Sequence, residues 1–108
     1  MSERWLYAVQ RVTAMILAPL VMAHLGMILW AVEGGLTAEE ILGRTRGALG
    51  WAFFYGVFVL AAAAHGAIGL RAILIEWAGF ARIWAGRIAA CLTLLLALLG
   101  LRGVWAVI

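Results

Sequence analysis

From Val12 to Val32 the chain runs without a charged side chain. As a helix such a stretch reaches about 30 Å, the thickness of a bilayer's hydrocarbon core. Two further stretches are also apolar but carry a single arginine each, from about Leu49 to Ile75 and from about Ile88 to Ile108. Each is long enough as a helix to cross the hydrocarbon core. The pattern therefore predicts an all-α integral membrane protein with three transmembrane helices, at about 12–32, 49–75 and 88–108.

Composition excludes the soluble alternatives. Hydrophobic residues make up 68% of the chain and the mean hydropathy is +1.11, well above the half-apolar make-up of soluble domains. The 108 residues suit one membrane domain, residues 1–108. The third stretch is the least clean, because Arg102 interrupts it. That arginine is expected to snorkel to the far headgroups beside Trp105.

The charged set consists of eight arginines and five glutamates, with neither lysine nor aspartate. The arginines are scattered singly, so no basic face exists for nucleic acid, and their positions record topology instead. Arg4, Arg11, Arg71, Arg82 and Arg87 fall on the side of the amino end and second loop, against Arg44, Arg46 and Arg102 on the other. This asymmetry predicts a cytoplasmic amino terminus. No small-residue cleavage site follows the first apolar run, so the first span is expected to remain in the mature protein. Cys91, alone in an apolar run, offers neither a disulfide nor a paired metal site and is read as packing.

Between the first two spans, "EGGLTAEEILGRTRG" reads as a helix end and a new start. Gly34 and Gly35 suit a C-terminal cap. Thr37 with Glu40 makes a capping box for a short outer-surface helix at about 38–43. The second loop, "EWAGFARIWAGR", is brief, aromatic and basic, as an interfacial hairpin should be.

The candidate functional residues are the two intramembrane histidines, since ionisable groups in a span mark function by default. The helical neighbours of His65 at spacings of three, four and seven are Phe58, Ala61, Ala62, Gly69 and Ala72, a face of mostly bare backbone. Such a ledge beside a ligating nitrogen suits a flat macrocycle; small residues at that spacing also promote helix contact. His24 lies deep in the first span, so the pair either clamps one iron or serves different partners. Arg11, Thr13, Arg71, Glu76, Trp77, Arg82 and Trp84 gather toward the cytoplasmic side. Arginine there neutralises carboxylates or polarises a quinone carbonyl. The chain has no nucleophile with a base and no nucleotide-binding loop, so it is non-catalytic alone.

At these residues the chain resembles the membrane anchors of succinate dehydrogenase and fumarate reductase, respiratory complex II, in particular the small hydrophobic anchor of cytochrome b type. The likeness is carried by His65, Gly69, Glu76 and Trp77 in "HGAIGLRAILIEW", by "QRVTA" at the first span and by "GLTAEEI" in the outer loop. It extends from about residue 5 to the end. The resemblance implies half of a haem-binding helical bundle completed by a second membrane-anchor subunit, with an iron-sulfur subunit and a flavoprotein subunit seated on it. It implies haem b, one or two, shared with the partner, and ubiquinone or menaquinone as substrate, in a bacterial inner membrane. By carry-over His65 is a haem axial ligand, His24 the candidate ligand of a second haem, Arg11 and Arg71 propionate or quinone contacts, and Gly69 a haem-packing residue. Glu76 and Trp77 stand where the family has an aspartate-tyrosine pair at the quinone. Two alternatives remain: a haem-free structural anchor, and a small three-span assembly or transport protein.

Overall fold

The computed structural model describes residues 2–108. Four helices follow in the order α1 (Glu3–Gly34), α2 (Ala38–Thr45), α3 (Leu49–Glu76) and α4 (Arg82–Val107). Among the described residues there is no strand, and α1, α3 and α4 are each long and apolar enough to cross a membrane. The molecule is a multi-pass, all-helical membrane protein, 48 Å along its longest axis.

Two helices begin earlier than hydropathy suggests. α1 starts at Glu3, where the Ser2 hydroxyl accepts the Trp5 amide hydrogen at 3.2 Å, and α4 starts at Arg82. Arginine and glutamine are good helix formers, so polar residues end the lipid-compatible stretch without ending the helix. α2 likewise extends to Thr45. Arg44 ties that last turn back by donating to the Gly35 carbonyl at 2.9 Å.

α3 is the central helix, packed along both α1 and α4. The buried apolar residues are all alanines, Ala61, Ala63 and Ala67 on α3 with Ala85 and Ala89 on α4, while Leu94, Leu98 and Leu99 face outward. A soluble protein built this way would have no core. In lipid the apolar transfer drive between helices is absent, and small residues stabilise by letting backbones approach closely.

At the end of the molecule where α4 finishes, α2 and the turn after it supply partners that the end of α4 lacks. The buried Thr45 hydroxyl donates to the Val107 carbonyl at 2.7 Å, and the Gly47 amide donates to the Ile108 carbonyl at 3.0 Å. The last carbonyls of a helix have no intrahelical donors. Replacing Thr45 with valine keeps the shape and leaves the Val107 carbonyl unpaired, an expected loss of about 1–3 kcal/mol. A lowered thermal midpoint of the purified protein would show it.

The capping box of α2 forms as expected: the Thr37 hydroxyl accepts from the Glu40 amide at 3.2 Å, and the Thr37 amide donates to Glu40 Oε2 at 2.9 Å. Gly35, at φ 103°, takes a left-handed conformation, and a Cβ there would overlap the Glu40 carboxylate. The Thr37 backbone amide, then its hydroxyl, then Arg44 hold the Glu40 carboxyl below the ordinary glutamate value. A depressed folded pKa stabilises α2 above the unfolded value, and that contribution disappears as pH falls through the folded one. Carboxyl carbon shifts should therefore place the Glu40 midpoint below that of a free glutamate, and Thr37→Ala should raise it.

Candidate functional site

α1 and α3 run antiparallel, and their pairing has four rungs. At one end Glu3 meets Arg71; next, Gln10 lies against Gly69; then Thr13 meets His65; and farther along, His24 meets Phe58 and Tyr55.

At the third rung the Thr13 hydroxyl lies 3.1 Å from His65 Nδ1. It also lies 2.7 Å from the Val9 carbonyl and 3.1 Å from the Gln10 carbonyl. Thr13 is buried and His65 half-buried. Among the described residues His65 Nε2 has no hydrogen-bond partner, and it is not sealed inside the chain.

α1 approaches two members of the small-residue face around His65. Phe58 is met by the His24 ring at 5.3 Å between centroids, and Gly69 is met by Gln10, whose Nε2 would lie 3.4 Å from a Cβ at that position. Gly69 thus lies in the α1–α3 contact, where a Cβ would make an ordinary van der Waals contact with Gln10. Small residues bring the two helices together, as they generally do in membranes.

The two histidines do not converge. His24 lies eleven residues beyond Thr13 on α1, about 16 Å along the axis from the rung of His65. One iron cannot accept both, which removes the single-clamp reading. His24 instead packs edge-on to Tyr55 and Phe58. It lines a cleft of about 180 Å³ with Trp30, Arg44, Trp51 and Tyr55 among its walls.

The arginines divide as well. Arg71, nearly buried with its side chain 11% exposed, places Nη2 at 2.5 Å and Nη1 at 3.3 Å from the two oxygens of Glu3. Arg82 adds a third contact to Glu3 at 3.0 Å. The guanidinium assigned by expectation to propionate or quinone is therefore already occupied by a carboxylate of the same chain. Arg11 stands only two residues before Thr13, about 3 Å below the His65 rung. Two residues are about 200° of helix turn, so Arg11 points away from α3, exposed, with its guanidinium 5.8 Å from the Tyr7 ring. Glu76 and Trp77 are both exposed at the end of α3, the latter 84% so.

Sequence reasoning misses Thr13 and Glu3 as partners. Thr13 stands out only as a polar residue near Arg11, the first charge bordering the apolar run. The Glu3–Arg71 rung puts the start of the helix pair eight residues before Arg11, and the Thr13–His65 contact joins residues fifty-two apart in the chain. Gln10 is missed too; its Oε1 is buried without a partner.

Comparison with protein families gives one match, the succinate dehydrogenase/fumarate reductase transmembrane subunit, over residues 2–103. Neither the curated proteins nor the solved structures contain a match. The family match takes in α1, α2, α3 and most of α4, so the rungs that hold His65 and His24 lie wholly inside it. With three membrane-spanning helices and nearly the full chain matched, this protein belongs to the succinate dehydrogenase/fumarate reductase transmembrane subunit family.

Proposed function

We propose that the chain is a haem b-binding hydrophobic anchor of succinate:quinone oxidoreductase. It tethers the flavoprotein and iron-sulfur subunits beside a second anchor subunit and contributes to quinone reduction at the cytoplasmic side of a bacterial inner membrane. The observation that carries this reading is His65, an imidazole within a span, held at Nδ1 by Thr13 and without a partner at Nε2. The donor set fits a porphyrin better than a bare ion. No group of three or more His, Cys, Asp or Glu side chains forms among the described residues, and haem iron asks the protein only for axial ligands.

Bound haem b would relay single electrons between the iron-sulfur clusters and quinone. His65 would hold the haem iron through Nε2, with His24, about 16 Å away along α1, too distant to share it. Arg11 is the better propionate partner, because an exposed guanidinium at the depth of His65 needs an anion to be tolerated there. Arg71, held by Glu3, braces α1 against α3 instead. Trp77 offers an indole N–H, and with Glu76 marks the quinone edge. His24 is the candidate ligand of a second haem farther out.

The test is the haem-to-flavin ratio of the intact complex purified through this chain. At least one b-type haem per flavin is expected; none would contradict the reading. The pairing of Arg71 with Glu3 favours the second reading, a haem-free structural anchor. That reading expects a preparation coloured only by flavin and iron-sulfur clusters, with quinone turnover untouched by His65→Ala.

A further inference from the structure

We infer that Thr13 is a positioning residue that presents the His65 imidazole to iron as the tautomer with Nε2 bare. The inference rests on the haem reading above, and the hydrogen-bond inventory of one hydroxyl carries it. A threonine hydroxyl has one hydrogen and two lone pairs. Three polar groups crowd Thr13 Oγ1: the Val9 carbonyl at 2.7 Å, the Gln10 carbonyl at 3.1 Å and His65 Nδ1 at 3.1 Å. The single hydrogen goes to the shortest contact, the Val9 carbonyl. Neither carbonyl can donate, so the lone pair of Oγ1 is left for a donor, and the only one in reach is Nδ1–H of His65. A neutral imidazole carries one hydrogen; with it on Nδ1, Nε2 is a bare lone pair.

The relay from Nδ1–H through Oγ1 to the Val9 carbonyl fixes both the tautomer and the ring plane. Partners of this kind, behind a ligating histidine, orient the ring and raise its basicity. The position is sterically suited to the task, because Thr13 is buried against α3. Valine would pack there with the same outline, so packing alone does not call for a hydroxyl.

The experiment uses the assembled complex with Thr13→Val and Thr13→Ser, and reads haem per flavin together with the midpoint potential of the haem that His65→Ala removes. Thr13→Val is expected to weaken haem retention by about 10- to 100-fold, the usual effect of removing such a partner, and to move the potential of the remainder upward, since a less basic ligand stabilises ferric iron less. Thr13→Ser, which keeps the hydroxyl, should restore both. Should the valine variant fail to assemble, Thr13→Cys, a weak acceptor of similar size, should shift the potential in the same direction. A His65-dependent haem with wild-type potential in Thr13→Val or Thr13→Cys overturns the inference and leaves the haem reading standing. A wild-type complex with no His65-dependent haem overturns both.

Discussion

Replacing Gly100 by alanine is expected to push α3 and α4 apart. A Cβ at this position would run into the side chain of Val59, meeting Cγ1, Cγ2 and Cβ together. Valine is stiff at its first side-chain torsion, so it cannot swing clear as a long flexible side chain would. Two effects oppose one another. Alanine gains about 1 kcal/mol over glycine in helix propensity, and overpacking a close contact costs about 1–3 kcal/mol. With three atoms of a rigid residue in the way, the clash should win. Gly103 on the same helix provides the comparison, since nothing lies within 4 Å of a Cβ placed there. Gly103→Ala should therefore be neutral or stabilising, while Gly100→Ala lowers the thermal midpoint and the yield of assembled protein. Adding Val59→Ala should recover much of the loss. Equal behaviour of the two glycine variants would show that the α3–α4 seam is not closely packed at Val59.

The contrast between these glycines illustrates what can be read from the chain. The three spans and the capping box of α2 are local matters of hydropathy and spacing, and residues such as Thr37 and Glu40 announce them directly. Contacts between helices depend on register, which no single segment encodes. Nothing local distinguishes Gly100 from Gly103, and only the pairing with α3 separates them. The same holds for the site. His65 is conspicuous as an imidazole in an apolar run, yet its small neighbours fit a porphyrin ledge and a helix contact equally well. Gly69 lies beside Gln10 of α1 at ordinary contact distance. Arg71 is legible as a charge near the membrane edge, but Glu3, sixty-eight residues away, fixes what that charge does. Thr13 stays hidden because its partner His65 lies fifty-two residues away on another helix.

His65→Ala is expected to have the largest functional effect of any single change in this chain. Removing the imidazole does not strand its neighbour, because the Thr13 hydroxyl keeps its bond to the Val9 carbonyl at 2.7 Å. The small cavity lies at a half-buried position, and the helices keep their other rungs. Folding and haem binding should therefore separate cleanly: the variant assembles with its flavin and iron-sulfur partners and loses the haem. His24→Ala acts about 16 Å away along α1 and should leave that haem in place, removing a second one if the outer rung carries it.

The most direct measurement is the reduced-minus-oxidised difference spectrum of the purified complex, wild type against His65→Ala, normalised to flavin. A b-type band smaller in His65→Ala than in the wild type, by the haem that His65 holds, is the predicted result. A band of equal height in both, or none in either, would contradict the assignment of His65 to iron.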